Sequence, residues 1–178
     1  MKLLLIIGNG GHANSVIEVA KSLEKYKLCQ VTYTDEGEIQ FNTSQQSLLK
    51  TFSDIDIEYI IAVGSIDLRK RISESKLLQP WLAAKLVSPN AYISNNVKIA
   101  GGSIVMPGCF LRSGASLGKH SIVNTASILD HDVEIGNFVN ISPNVTICGK
   151  VKIEDQVFLG ASATVIENIF IKKNTVVG

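Results

Sequence analysis

From residue 87 to residue 177, an aliphatic residue returns at every sixth position of the chain. A period of six matches neither the 3.6-residue repeat of an α-helix nor the two-residue alternation of a single strand. A hexapeptide repeat is instead typical of a parallel β-helix, in which short strands turn one aliphatic residue inward. We therefore predict a stack of coils with about three hexads in each coil. The inward positions of this series are Val87, Ile93, Ile99, Val105, Leu111, Leu117, Val123, Leu129, Ile135, Ile141, Ile147, Ile153, Leu159, Val165, Ile171 and Val177.

The chain before this repeat alternates between apolar runs and helical patterns. The run Leu3–Ile7 ends at a glycine turn, and the apolar residues from Ala13 to Leu23 then recur at helical spacing. Further strands are predicted over 28–34 and 59–63, with a helix over 67–78 after the second of them. This alternation predicts a small parallel sheet of βαβ units, whose ligands bind at the carboxyl ends of the strands.

The change of period predicts two domains, residues 1–86 and residues 87–178. Hydrophobic residues make up 46% of the chain and aromatic residues only 6%. This composition suits the narrow aliphatic core of a β-helix better than a bulky globular core.

The net charge indicates which class of partner to expect, and the cysteines indicate the cellular compartment. A formal charge of +1 gives no basic surface for nucleic acid, so a small-molecule partner is expected. The three cysteines are widely spaced and form no Cys-x-x-Cys pair, which predicts free thiols in a reducing, cytoplasmic setting. The opening apolar run is far shorter than the roughly 18 residues of a membrane span.

The first glycine turn has three open interpretations. Gly8-x-Gly10-x-x-Ala13 matches a relaxed dinucleotide fingerprint, and Asp35 lies near the place of a ribose-binding acid. Only about 85 residues precede the repeat, enough for half of a dinucleotide fold, so a single nucleotide phosphate at a helix N-terminus is the second interpretation. The third is a tight turn with no ligand.

Short motifs before and within the repeat point to a family. Glycine-rich or acidic turns follow each of the three strands, and a Pro-Asn turn leads into the hexads: Gly10-Gly11-His12-Ala13, Asp35, Gly64-Ser65 and Ser88-Pro89-Asn90-Ala91. Together they resemble the hexapeptide-repeat sugar acetyltransferases, the group of the sialic acid O-acetyltransferases and the amino-sugar-nucleotide N-acetyltransferases. The resemblance covers nearly the whole chain. It implies a half-Rossmann-like α/β domain followed by a left-handed parallel β-helix.

The resemblance also implies the roles of particular residues. Acetyl-CoA would be the co-substrate, the N-terminal domain would hold the sugar acceptor, and adjacent chains of a homotrimer would form each groove. The implied acceptor residues are Gly10, Gly11, His12, Asp35 and Gly64. The implied acetyl-CoA residues are Asn140, Gly160 and Ala161, together with Gly149.

His131 is the candidate general base. It follows the inward Leu129 by two residues, so we expect it to point outward at a coil corner between Asp130 and Asp132. An imidazole is largely neutral near pH 7 and can take a proton, and a carboxylate partner stabilises the cation that forms. The resemblance implies the same roles, with His131 as the base and Asp132 as its orienting partner. A coil of about 18 residues would place Gly149 above His131, where its N–H could meet an oxyanion.

These observations predict an acetyl-CoA-dependent acetyltransferase that acts on a sugar, most simply on the amine of a nucleotide-linked amino sugar. A sialic acid hydroxyl is an alternative acceptor. A non-catalytic sugar-binding relative is another alternative, because members of the group usually continue through at least one more coil beyond the position of Gly178. We expect no metal, since His120 and His131 do not reproduce the three-histidine zinc site of the γ-class carbonic anhydrases.

Overall fold

The computed structural model describes all 178 residues. They divide into two compact units, Met1–Ala84 and Lys85–Gly178. No helix in the structure combines the length and the apolar character needed to cross a membrane.

A five-stranded sheet forms the first unit. Its strands lie in the order β3-β2-β1-β4-β5, and only β3 is antiparallel to its neighbour. The central strand β1 is fully buried from Leu3 to Ile7, as expected for a strand covered on both faces. The bounds are β1 Lys2–Ile7, β2 Tyr26–Tyr33, β3 Ile39–Gln40, β4 Ile57–Ile61 and β5 Leu82–Ala83.

Three α-helices and two 3-10 turns accompany this sheet. The helices are α1 Gly11–Ser22, α2 Thr43–Leu49 and α3 Ile66–Ser73, and the 3-10 turns are Asp54–Asp56 and Lys76–Leu78. The helix predicted over 67–78 is therefore shorter than expected, because it ends at Ser73 and only a 3-10 turn follows. The sequence patterns did not reveal β3, β5 or α2. Helix α2 buries no residue and depends on a capping box between Asn42 and Gln45.

The second unit contains sixteen two-residue strands, β6 to β21, and each ends at one of the predicted aliphatic positions. The strands form three parallel sheets of five, five and six strands. This confirms the predicted β-helix. The strands are Leu86–Val87, Tyr92–Ile93, Lys98–Ile99, Ile104–Val105, Phe110–Leu111, Ser116–Leu117, Ile122–Val123, Ile128–Leu129, Glu134–Ile135, Asn140–Ile141, Thr146–Ile147, Lys152–Ile153, Phe158–Leu159, Thr164–Val165, Phe170–Ile171 and Val176–Val177.

One coil of the β-helix is 18 residues, so stacked strands have Cα partners 18 positions apart. Phe110, for example, lies beside Tyr92 in one direction and beside Ile128 in the other. Corners recur every six residues with a positive φ angle, from Gly102 to Asn174. Ten of these corners are not glycine, and the stacked coils hold them in place; the N–H of Phe138, for example, donates to the Lys119 carbonyl at 2.8 Å.

Buried hydroxyl groups also link successive coils. The Oγ of Ser121, which is fully buried, donates to the Gly136 carbonyl at 2.8 Å. The same oxygen accepts the backbone N–H of Val139 at 2.9 Å. A buried polar group that loses its partner costs about 1–3 kcal/mol, so this hydroxyl contributes more than its size suggests.

We predict that Ser121→Ala lowers the free energy of unfolding by about 1–3 kcal/mol, because the Val139 N–H and the Gly136 carbonyl both lose a buried partner. Urea denaturation measures the change. Ser116→Ala is the matched control, since Ser116 lies partly exposed on β11 and should change stability by less than about 0.5 kcal/mol. Equal losses in the two variants would contradict the role of the buried hydroxyl.

Candidate active site

The structure places His131 at the coil corner that follows β13, with about half of its side chain exposed. Its backbone is held on both sides. The His131 N–H donates to Asp130 Oδ1 at 2.8 Å, and the His131 carbonyl accepts the Lys150 N–H at 3.0 Å. The imidazole therefore projects from a fixed point on the β-helix.

Asp132 contacts the imidazole. His131 Nδ1 and Asp132 Oδ2 are 3.1 Å apart, a distance that suits a hydrogen bond from a protonated Nδ1 to the carboxylate. Asp132 adopts a φ of 59°, and its own N–H donates to the Ser113 carbonyl at 2.9 Å. In the tautomer that this contact favours, His131 Nε2 carries the lone pair and can accept a proton.

Gly149 lies one coil above His131, against the ring. A Cβ atom at Gly149 would collide with Nε2 and would lie 2.6 Å from Cε1, so only glycine leaves the ring where it is. The N–H of Gly149 donates to no group of the chain. Nε2 and a backbone donor are thus neighbours, which is the pairing that acyl transfer requires of a base and an oxyanion donor.

The residues expected to bind acetyl-CoA do not all meet within one chain. Asn140 lies on β15, in the sheet of β12 and β18, and Gly160 and Ala161 form the corner after β18. Gly149 lies at the corner after β16, in the sheet of β10 and β13. The corner at Gly160 leads into the sheet of β10 and β13, and the corner at Gly149 follows that sheet. The two corners therefore lie on opposite sides of it.

His120 lies in a different kind of corner. Its ring packs against Gly102 and stacks on Phe138, with ring centroids 5.2 Å apart, and only 7% of the residue is exposed. These are the coil neighbours that an 18-residue repeat predicts. No group of three His, Cys, Asp or Glu side chains is close enough to hold a metal ion, and all three cysteines are unpaired.

In the first unit, the glycine turn lies at the N-terminus of α1. Gly10 is the N-cap residue and provides no side-chain cap, and a Cβ at Gly10, Gly11 or Gly64 would meet no atom within 4 Å. Gly8 differs, because a Cβ there would lie 2.6 Å from the Ala62 carbonyl oxygen. Gly8 therefore serves close packing, whereas the other glycines leave open space at the carboxyl ends of β1 and β4.

Asp35 makes no direct contact with this turn through a hydrogen bond or an ion pair. It is exposed in the tight turn between β2 and β3. The hairpin partner β3, which the sequence pattern did not show, places Asp35 in a turn.

Comparison with known proteins shows which proteins the chain is similar to. A family model described as the PglD N-terminal domain matches residues 3–76. Over nearly its whole length the chain resembles the acetyltransferase domain of PglB from Neisseria gonorrhoeae FA1090, with a TM-score of 0.77 and 26% identity, covering 99% of this chain and 96% of that one. The chain is thus similar to the hexapeptide-repeat sugar acetyltransferases. The predicted fold class and family resemblance are thereby confirmed.

Curated relatives match part of the chain. GDP-perosamine N-acetyltransferase of Escherichia coli O157:H7 is 28% identical over 109 residues, 61% of this chain and 49% of its own length. UDP-N-acetylbacillosamine N-acetyltransferase of Bacillus subtilis (strain 168) is 29% identical over 112 residues, 60% of this chain and 52% of its own. The chain spans about half the length of these relatives. The PglB domain is also known in complex with acetyl coenzyme A, with a TM-score of 0.72, 25% identity and 95% coverage of both chains.

The sequence patterns gave Arg69 no role, although it is the largest fully buried side chain in the structure. Its Nη1 donates to the carbonyls of Val63 at 2.6 Å and Gly64 at 3.1 Å, which fixes the turn after β4. Burial and the nearby Arg69 guanidinium lower the pKa of His12 from 6.5 to about 4. The sequence did contain a signal for the burial of Arg69. Arg69 lies three positions before the buried Ile72, so both residues are on the inner face of α3.

We predict that this pKa makes the protein less stable in acid. Because the unfolded His12 has a pKa near 6.5 and the folded one about 4, the unfolded state binds more protons between these values. Stability is then lost as the pH falls through that window, by about 2–3 kcal/mol between pH 7.5 and 4.5. Urea denaturation at both pH values measures the loss. The His12→Gln variant has no titrating group at this position, so its stability loss on acidification should be smaller than that of the native protein by this amount. Equal stability losses in the two proteins would contradict the lowered pKa of His12.

Proposed function

We propose that this protein transfers the acetyl group of acetyl-CoA to a sugar, and that its acceptor is the amine of a nucleotide-linked amino sugar. The observation that carries the proposal is the His131–Asp132 pair, with Nε2 facing Gly149, in a chain similar to these acetyltransferases. The two curated relatives are named as N-acetyltransferases of GDP-perosamine and of a UDP-linked bacillosamine, and the PglB domain binds acetyl coenzyme A. A sialic acid hydroxyl is the second candidate acceptor, because the same base can deprotonate it.

The reaction needs one base and one oxyanion donor. The acceptor amine attacks the thioester carbon, and Nε2 of His131 takes the proton that the amine loses. Asp132 stabilises the imidazolium, and the Gly149 N–H meets the negative oxygen of the tetrahedral intermediate. When the C–S bond breaks, the CoA thiolate receives the proton from His131, so the new amide and free CoA leave together. No covalent intermediate with the protein is required.

The glycine turn of the first unit supports the acceptor assignment. The free N–H groups at the start of α1 and the dipole of this 12-residue helix favour a phosphate group, which a nucleotide-linked sugar carries and a free sugar lacks. The open space beside Gly10, Gly11 and Gly64 leaves room for such a group. We assign His12 and Asp35 to the acceptor as well, on the family resemblance.

The donor groove requires a second copy of the chain in this proposal. Asn140 lies on β15, and Gly160 and Ala161 lie at a different corner from Gly149, so one chain alone does not bring them together. In a homotrimer, the Gly149 corner of one chain would face the Gly160 corner of its neighbour. The three unpaired cysteines fit a reducing compartment, and we place the reaction in the cytoplasm.

An apolar stripe supports this assembly. Tyr92, Phe110 and Ile128 face outward on stacked strands of the sheet that leads to His131, and they are 56%, 48% and 36% exposed. The rings of Tyr92 and Phe110 stack with centroids 5.9 Å apart. A continuous exposed apolar patch marks an interaction site, and we assign it to a second copy because it ends at the catalytic corner.

For the chemistry, we predict that His131→Ala lowers kcat by about 10²–10⁴-fold, because the variant lacks the base that the proposed reaction uses. Acetylation is measured on a panel of amino-sugar nucleotides and sialic acids, and binding by isothermal titration calorimetry. Both substrates should still bind. Near-native turnover would remove His131 from the mechanism, and absence of acetyl-CoA binding to the native chain at millimolar concentration would favour a non-catalytic sugar-binding protein.

For the assembly, we predict that Phe110→Glu produces monomers that lose acetyl transfer although His131 is intact, because a charge in the apolar stripe prevents association. Light scattering coupled to size-exclusion chromatography measures the mass. Phe170→Glu is the matched control, since Phe170 is 55% exposed on a different sheet and should leave the trimer intact. A native chain that runs as a monomer would contradict the two-chain groove.

A further inference from the structure

We propose that Asp130 is a positioning residue for His131. Its carboxylate holds the backbone N–H of His131, and Arg112 from the preceding coil holds the carboxylate. This inference rests on the proposed role of His131 as the base.

The contacts converge on a single oxygen atom. Asp130 Oδ1 accepts the His131 N–H at 2.8 Å and lies 3.8 Å from Nε of Arg112. Asp130 is the first residue after β13, and Arg112 is the first residue after β10, one coil earlier. The Arg112 N–H donates to the Leu129 carbonyl at 2.9 Å, so the β-helix register itself places the two side chains together.

Asp130 completes a three-point attachment of the base. The imidazole is held by Asp132, the carbonyl of His131 by Lys150, and the N–H by Asp130. Without the third contact, the N–H of the peptide unit between residues 130 and 131 has no partner, so this unit can tilt and shift the ring relative to Gly149. Catalytic groups must be held to within about 0.5 Å of the productive geometry, so this shift lowers the rate.

The same contacts add little to stability. The side chains of Arg112 and Asp130 are 61% and 39% exposed, and an exposed ion pair contributes about 0–1 kcal/mol. Their removal should therefore leave the fold intact. A neutral amide makes the same contact one hexad earlier, where Asn124 Oδ1 accepts the Thr125 N–H at 2.8 Å. The hydrogen bond thus does not need a charged acceptor, which allows the two properties of Asp130 to be tested separately.

Two substitutions separate the hydrogen bond from the charge. Asp130→Ala removes both, and we expect kcat to fall about tenfold while KM for each substrate stays within about twofold. Asp130→Asn keeps the acceptor, and its kcat should stay within about threefold of the native value. In NMR spectra, the backbone amide and ring resonances of His131 should shift in Asp130→Ala and remain near their native positions in Asp130→Asn.

Glu134 provides matched controls. It pairs with Lys152 of the next coil at 2.9 Å, with both side chains more than half exposed, and no hydrogen bond joins it to His131, Asp132 or Gly149. Glu134→Ala and Glu134→Gln remove the same charge from the neighbouring strand and should leave kcat unchanged. Arg112→Gln should lower kcat by a smaller factor, about threefold; an unchanged kcat would exclude Arg112 from the proposal.

Two results would overturn the positioning role. One is a native kcat in Asp130→Ala, and the other is an equal loss in Asp130→Ala and Asp130→Asn, which would assign the effect to charge. If the native chain transfers no acetyl group, the proposed function fails and the His131 resonances alone decide the positioning role. Shifts confined to Asp130→Ala support it, and equal or absent shifts overturn it.

Discussion

The main-chain register between coils is the constraint on which the second unit depends. Strands of only two residues make few hydrogen bonds each, and they are stable because each one lies between strands whose Cα partners are 18 residues away. The inward aliphatic residues fix that register. A slip of one residue would turn the whole column outward and expose it to water, which the hydrophobic effect opposes at every coil.

The corners show how strongly this register acts on local conformation. Ala126, Phe138 and Lys150 all adopt a positive φ, a backbone region that costs a side-chain-bearing residue about 1–3 kcal/mol. Each of their N–H groups donates to a carbonyl of the previous coil, at 2.8–3.1 Å. Stacking between coils therefore holds these corners. Asp132 belongs to the same series, and its unusual backbone conformation brings its carboxylate back toward His131.

The candidate active site follows from the same geometry. Gly149 faces His131 because one coil is 18 residues long, and Arg112 lies near Asp130 for the same reason. The proposed catalytic groups are thus attached to a rigid scaffold, with little dependence on mobile loops. In the first unit, a buried charged side chain shapes the candidate acceptor site. There, buried Arg69 binds backbone carbonyls and, together with burial, keeps His12 neutral near pH 7 beside the open glycine turn.

The sequence by itself determined the β-helix, because a six-residue period has one physical solution and its consequences repeat along the chain. It also determined the central βαβ pattern and, through the 18-residue coil, the neighbours of His131 and His120. The tertiary structure decided what no period encodes. Helix α2, strands β3 and β5 and the early end of α3 depend on local capping and on contacts distant in the sequence. The burial of Arg69 and the separation of Asn140 and Gly160 from Gly149 likewise became visible only once the chain was folded, because side-chain environment depends on neighbours that the sequence does not place side by side.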